Sequence, residues 1–283
     1  MRKRFPIFFG CGLIEEAAER IITMTLGEAP FTARGDLVRW IATPGTGAPV
    51  IYLHGLGCSG PASWIDAALR LGRPAIIVDL PGHGRSDRPR DFDYGLDSHA
   101  AAIASVIRSL DVGPVDVVGH SLGGSIAIAL CAATPELVRS VVLVEPGIDA
   151  VTIAPGDIAA ENEADLLAGG GWDRLLAQEA PYRRADVQLS DPIAFRRSAE
   201  GIANAKGDTV RDALRATRVP ATILVGDYRT YRDQDEYPEH GIHLEKISGT
   251  GHFLMWDEPE EFVAAVARSW GRMHSRPTMN RSA

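Results

Sequence analysis

Val115-Asp116-Val117-Val118, then Gly119-His120-Ser121-Leu122-Gly123, then, after Gly124, the run from Ser125 to Ala133 follow in order: an apolar β-type segment, a pentapeptide with glycine at both ends, and a helical segment. That order gives the pentapeptide its meaning. A serine forced into a tight turn between strand and helix must tolerate a strained backbone, and glycine on either side leaves room for the chain to pass closely. The turn lifts the hydroxyl into the open and places the Leu122 N–H at a helix N-terminus, where developing negative charge is favoured. In a chain with 29 glycines the pentapeptide alone says little. Its strand and helix flanks make it specific.

Three further segments fit around it. Upstream, Pro49-Val50-Ile51-Tyr52-Leu53 reads as a buried strand running into His54-Gly55-Leu56-Gly57, a bend that can turn the Leu56 amide towards the serine. Ala75-Ile76-Ile77-Val78 leads into Asp79-Leu80-Pro81-Gly82-His83-Gly84-Arg85-Ser86. Far downstream, Ser248-Gly249-Thr250-Gly251-His252-Phe253 puts one histidine on a loop ahead of a helix beginning near Pro259. The serine-before-histidine order, the two glycine bends and their spacing resemble the α/β-hydrolase superfamily, over roughly Ile22 to Trp270. The resemblance implies an α/β fold: a mostly parallel sheet, helices on both faces and a small helical cap inserted after the sixth strand.

The rest of the chain reads in the same sense. Phe31–Arg34 and Leu37–Ile41 are expected to form a hairpin across Gly35-Asp36. Strands at 49–53, 75–79, 115–119, 140–145 and 221–226 are separated by helices near 62–71, 96–110, 122–133 and 205–217. A last strand, Ile242–Ile247, precedes the helix from Pro259 to Trp270. Helical crossovers imply parallel pairing and right-handed connections. Ligands in such sheets bind beyond the carboxyl ends of the strands. From Gly147 to Val219 the alternation breaks: Ile158–Leu167, Trp172–Gln178, Pro192–Ala203 and Asp208–Arg215 read as short helices, divided by Gly169-Gly170-Gly171 and by breaks at Pro181 and Pro192. The expected division is a core of residues 22–146 and 219–272, a cap of 147–218, and terminal extensions of 1–21 and 273–283. Trp172, Tyr182 and Phe195 are candidate cap residues facing substrate, the alternative for each being packing of the cap on the core.

Serine is a poor nucleophile unless a base takes its proton during attack. His252 is the expected base, later protonating the leaving group, and the amides of Leu56 and Leu122 would hold the tetrahedral oxyanion. The alternatives are a helix N-cap for Ser121 and a satisfied loop residue for His252. His54 and His83 belong to loops whose backbones they tie together, His120 points into the protein, and His99, His240, His243 and His274 read as surface or scaffold groups. Asp79 and Ser86 are expected to brace the oxyanion bend. The third catalytic member departs from the common pattern. Most relatives place an aspartate three residues after the glycine that ends the seventh strand; here that position holds Arg229. The sixth strand instead ends Val142-Leu143-Val144-Glu145-Pro146, and a carboxylate there resembles the acid position of haloalkane dehalogenases and of the lactone hydrolase acting on zearalenone. Glu145 is therefore preferred, with Asp227 next and Asp233 or Asp235 behind it. A salt bridge from Glu145 to Arg183 or Arg184 is the non-catalytic alternative.

Composition sets the outer bounds. A 283-residue chain can bury a substantial core. Its net charge of −8 argues against a nucleic-acid surface. Cys11, Cys58 and Cys131 form neither a disulfide framework nor a metal spacing, which suits a reducing, cytoplasmic setting. Basic Met1–Arg4 followed by apolar Phe5–Phe9 faintly imitates an export signal but is too short, and a frayed start before a helix at Ile14–Ile22 is expected instead. The sequence calls for no cofactor, no metal and no membrane, and leaves the oligomeric state open. The expected activity is cleavage of a small, moderately hydrophobic carboxylic ester or lactone through an acyl-enzyme on Ser121. Serine there speaks against epoxide hydrolases and haloalkane dehalogenases, which need an aspartate. The alternatives are a carbon–carbon hydrolase of ring-cleavage products and, in a different class, a ligand receptor on the same fold.

Overall fold

Strands apolar on both faces must be covered twice, and that requirement builds the molecule. The computed structural model describes residues 4–6, 23–148, 160, 162–204, 207–227, 231 and 233–275. The expected Ile14–Ile22 helix, Cys11 and Arg229 lie outside the described residues, as does the first part of the expected Ile158–Leu167 helix. Among the described residues nine strands form one sheet: β1 (Arg4–Pro6), β2 (Thr23–Pro30), β3 (Leu37–Thr43), β4 (Val50–Leu53), β5 (Ala75–Asp79), β6 (Val115–His120), β7 (Val138–Val144), β8 (Ala221–Val225) and β9 (Ile242–Lys246). Their order across the sheet is β1-β2-β3-β5-β4-β6-β7-β8-β9. β1, β2, β3 and β5 pair antiparallel in turn, and every pair from β5 through β9 is parallel. The chain runs from β4 to β5 on one side and then to β6 on the other. That reversal opens a crevice beyond the carboxyl ends of β4 and β6, where doubly wound sheets bind ligands.

Strand residues alternate between two cores. On one face Ile51, Leu53, Val117, Val141 and Leu143 pack with Ile103, Val106 and Ile107 of α2 (Leu96–Leu110) and with Ile126 and Leu130 of α3 (Leu122–Ala133). On the other, Val50, Tyr52, Val118, Val142 and Val144 pack with Trp64 of α1 (Gly60–Leu71) and with Phe262, Val266 and Trp270 of the final helix, Pro259–His274. Burying a side chain of this size is worth about 1.5–3 kcal/mol. The two-residue period thus fixes both faces of the sheet, and a one-residue slip would exchange them.

Two expectations are corrected. The opening hairpin uses Thr23–Pro30, not Phe31–Arg34: Pro30 pairs with Leu37, and Phe31 to Asp36 form the connection. There Thr32 carries the turn, accepting the Gly35 N–H on its carbonyl at 3.0 Å and the Asp36 N–H on its hydroxyl at 3.1 Å. Gly27, Glu28, Ala29 and Pro30 gave that strand no β signal; pairing with Leu37–Thr43 overrides their propensity. Second, Pro181 does not merely end a helix but opens one, as expected of Pro192. The two helices are Pro181–Val187 and Pro192–Asn204, and a first-turn proline loses no intrahelical hydrogen bond. Helices Glu163–Ala168, Gly171–Gln178 and Gly207–Ala216 complete the segment after β7. Of the two roles expected for His99, surface or scaffold, the structure gives it the second. It is buried, its Nε2 lying 3.1 Å from Ser198 Oγ, and burial holds its pKa well below the ordinary imidazole value.

Candidate active site

Ser121 sits between the last residue of β6 and the first of α3 with φ 52° and ψ −114°, a backbone that side chains other than glycine rarely adopt. The strain is held by the surroundings. The Ser121 N–H donates to Val144 O at 2.9 Å, and its carbonyl accepts the N–H groups of Gly124 and Ser125 at 3.0 and 3.1 Å. Glycine at 119 and 123 is a steric demand: a Cβ on Gly119 would stand 2.4 Å from Gly123 O, and one on Gly123 would stand 2.4 Å from Leu53 O. Leu122 is the first residue of α3, so its N–H has no intrahelical acceptor and points out of the helix end.

The bend after β4 lies directly against the serine, since a Cβ on Gly55 would fall 3.3 Å from Ser121 Cβ. Its shape is set by the Cys58 N–H donating to Gly55 O at 3.1 Å, with Gly57 at φ 65°. His54 links the bend to the next loop: its Nδ1 donates to Gly55 O at 2.8 Å, and its Nε2 accepts the Leu80 N–H at 3.0 Å. Burial pushes His54 down to about 4 and His83, which bonds Pro81 O, to about 3. Both rings are therefore neutral struts at physiological pH. Asp79 accepts the Gly60 N–H at 2.9 Å and the Arg85 N–H at 3.2 Å, while Ser86 Oγ donates to Asp79 O.

His252 arrives on the loop after β9, and several bonds shape that loop. His120 Nε2 donates to His252 O at 2.8 Å, the Gly251 N–H to Asp257 Oδ2 at 2.7 Å, and the Asp227 N–H to Thr250 O at 3.0 Å. Burial, followed by the neighbouring His252, keeps His120 well below its ordinary pKa, so it serves here as a neutral donor. Across from the His252 ring lies Glu145, fully buried one residue past β7. Glu145 Oε2 is 3.7 Å from His252 Nδ1, and Oε1 accepts the Gly226 N–H at 2.6 Å. Its backbone too is strained, with φ 47°. The 3.7 Å separation is an ion-pair distance rather than a closed hydrogen bond. Such contacts often tighten only when substrate binds.

The other candidate carboxylates are engaged elsewhere. Asp227 is exposed: its Oδ2 accepts the Gly249 N–H at 2.6 Å and its Oδ1 pairs with Lys246 Nζ at 3.0 Å, which together hold its carboxyl below the usual range. Asp233 pairs with Arg215 at 3.5 Å, and Asp235 sits on the exposed turn Gln234–His240. Arg183 turns to Glu179 and Cys58, and Arg184 Nε donates to Leu176 O at 2.7 Å.

Of the aromatic candidates, Trp172 and Phe195 meet edge to face with centroids 5.4 Å apart. Phe195 is buried against the bend, while Trp172 stays partly exposed and joins Leu56, Leu175, Leu176 and Val187 in one apolar cluster. Tyr182 lies on the Pro181–Val187 helix, but its side chain is outside the described residues. Sequence reasoning missed Tyr231 and Asp186, and gave Arg183 the wrong partner. Tyr231 is buried and donates from its hydroxyl to Pro146 O at 2.9 Å, supporting the turn that carries Glu145. Arg183 and Asp186 reach the bend after β4 from a helix more than a hundred residues away. No local signal marks a contact of that separation.

Comparison with known proteins agrees with the fold. A profile described as alpha/beta hydrolase family matches residues 50–265. An esterase of Mycobacterium tuberculosis is 28% identical over 289 residues, covering 90% of this chain and 93% of its own. A 2-hydroxy-6-oxo-2,4-heptadienoate hydrolase of Pseudomonas putida is 35% identical over 104 residues, 35% of this chain and 37% of its own. Among solved structures, an N-acyl homoserine lactonase complexed with N-hexanoyl homoserine superposes with a TM-score of 0.69 at 23% identity, covering 90% of this chain and 99% of that one. No helix among the described residues is long and apolar enough to cross a membrane.

Proposed function

The chain belongs to the alpha/beta hydrolase family, and from that premise we propose that it cleaves a small, moderately hydrophobic carboxylic ester or lactone through an acyl-enzyme on Ser121. One observation supports the proposal: a strained serine opens a helix, and its chain neighbour His120 bonds the carbonyl of His252, whose ring faces the buried carboxylate of Glu145. Esterase activity in a relative matched along almost its whole length supports the ester class.

Ser121 Oγ attacks the carbonyl carbon while His252 Nε2 takes its proton, and the carbonyl π pair moves onto oxygen. The N–H groups of Leu56 and Leu122 hold that oxyanion; losing one such donor costs about 3 kcal/mol. Glu145, facing Nδ1, stabilises the imidazolium and fixes its orientation. Collapse of the intermediate expels the alkoxide, which takes the proton from His252. Water then attacks the acyl-serine with His252 again as base, releasing the acid and restoring Ser121. From a lactone the alkoxide stays tethered, so the product is a hydroxy acid. The helices between β7 and β8 act as the cap, with Trp172 and Leu56 contributing apolar wall.

The test is a short-chain p-nitrophenyl ester and lactone panel with a fluorophosphonate probe. The native protein should turn over repeatedly and be labelled once, and Ser121→Ala should abolish labelling and reduce kcat at least ~10³-fold. Full turnover by Ser121→Ala would sink the mechanism; a single slow turnover by the native protein would favour a receptor. A carbon–carbon hydrolase is the second reading, favoured by the local similarity to the heptadienoate hydrolase. It predicts that a vinylogous 1,5-diketone outcompetes every ester in kcat/KM.

A further inference from the structure

Helix Pro181–Val187 lays one face on the bend that carries the Leu56 amide. Residues at i, i+3 and i+4 share a helix face, and here they are Arg183, Asp186 and Val187. Arg183 Nη1 donates to Cys58 Sγ at 2.9 Å, and its Nη2 lies 3.5 Å from Leu56 O. Asp186 Oδ2 accepts the Ser59 N–H at 3.1 Å. Val187 and Phe195 close on Gly57 so tightly that a Cβ there would stand 3.0 Å from the valine and 2.5 Å from the phenylalanine ring. Every residue from Leu56 to Ser59 is thus gripped from above, and the Leu56 side chain is embedded in the apolar cluster of Trp172, Leu175, Leu176, Val187 and Phe195.

The same arginine reaches the other half of the site. Its guanidinium lies 5.1 Å over the ring of Phe253, the residue after His252, and Phe253 stacks on Trp256 at 4.4 Å. Arg183 is mostly buried and also faces Glu179 at 3.6 Å.

We propose that Arg183 and Asp186 are positioning residues, a two-point polar clasp through which the seating of the helical segment sets the orientation of the Leu56 amide towards the oxyanion. Neither residue touches the reacting atoms. The clasp couples cap closure to transition-state stabilisation: a displaced cap releases the bend, and the site loses a donor while Ser121 stays in place. The inference rests on the hydrolase reading above and adds a device to it. It also gives a physical use to two charged side chains that a purely apolar seam would not need, since burying them carries a desolvation cost that must be met by specific partners.

The experiment compares Arg183→Met, Arg183→Lys, Asp186→Ala and Asp186→Asn with the native protein. It reads kcat and KM on a p-nitrophenyl ester, inhibition by an alkylboronic acid, thermal melting and fluorophosphonate labelling of Ser121. The boronate forms a tetrahedral adduct on serine and reports on oxyanion donors in the absence of turnover. Arg183→Met and Asp186→Ala should each lower kcat about tenfold, as expected for a misplaced donor. Boronate affinity should fall by the same factor and KM change less than about twofold. Asp186→Asn keeps an oxygen for the Ser59 N–H and should restore most of kcat; Arg183→Lys keeps charge without the fork and should restore little. Wild-type kcat and boronate affinity in Arg183→Met and Asp186→Ala, with only KM or melting temperature shifted, would reduce the helix to a strut and overturn the clasp alone. Absence of labelling and turnover in the native protein would overturn the hydrolase reading and the clasp with it.

Discussion

Two buried carboxylates face histidines at opposite ends of the sheet. At the carboxyl end Glu145 lies 3.7 Å from His252; at the amino end Asp116 lies 3.3 Å from His274. By residue type and distance the two pairs look alike. Their surroundings differ. Asp116 is ringed by cations: Arg73 is 2.5 Å away, Arg139 donates through its guanidinium, and Ser140 adds a hydroxyl at 2.5 Å. Burial pushes that carboxyl up, but the bonds from Arg139 and Ser140 and the charge of Arg73 outweigh it and hold the pKa below the usual value. Glu145 instead accepts a backbone N–H from Gly226, sits on a strained residue and stands next to a strained serine. In the proposed mechanism the pair at the carboxyl end serves catalysis because it lies with Ser121 and the bend at Leu56 beyond the same strand ends. At the amino end the same pair is scaffold.

The largest effect that would break this contrast is on turnover. Glu145→Gln should leave the fold intact and lower kcat by roughly 10³–10⁴, because the imidazolium loses its charged partner and its orientation. Steady-state kinetics beside a circular dichroism melt reads it. Near-native kcat would move the acid role elsewhere. The mirror substitution acts on stability. Asp116→Ala strands two arginines and should cost about 3 kcal/mol of unfolding free energy, measured in urea, while the folded fraction keeps its kcat. Equal damage to kcat would show that the amino end is coupled to the site.

Acid titration sharpens the comparison next. Burial depresses the pKa of His54 to about 4 and of His83 to about 3, and lowers His99 and His120 strongly as well. The unfolded chain takes up these protons near pH ~6.5, so it binds more protons than the native state between that value and the depressed folded ones. Their contribution to stability is present above about pH 6.5 and is lost as pH falls towards 4 and 3. Asp116, with its depressed carboxyl, adds loss only below about pH 4, since its unfolded value is the ordinary 3.8. Urea midpoints at several pH values should therefore fall well before the Asp116 window is reached. A flat profile down to pH ~4 would contradict the neutral, buried histidines. The smallest effect belongs to Asp227→Asn. It weakens the anchor on Gly249 but leaves the Glu145–His252 pair, so kcat should drop only about two- to fivefold.

The sheet and its elbow were legible because their signals are local. Val115–Ala133 combines a β-type run, two sterically required glycines and a helical run within a short window, and the backbone at Ser121 follows from it. Propensity failed where it was weakest, in the strand Thr23–Pro30, whose pairing is decided by its partner. Helix Pro181–Val187 was read as a break because proline can open a helix as readily as end one.

Sequence alone brought Ser121, His252 and Glu145 forward as chemistry-bearing residues, because residue type and position on a strand end suffice for that. Which carboxylate meets the histidine was a question of direction. Glu145 and Asp227 both follow parallel strands at the carboxyl edge, and only tertiary structure turns one inwards to His252 and ties the other outwards to Gly249 and Lys246. The grip of Arg183 and Asp186 on the bend at Leu56 was likewise invisible in the sequence. A side chain's partner across such a separation is set by how the helices pack, and packing is a property of the whole fold rather than of any window along the chain.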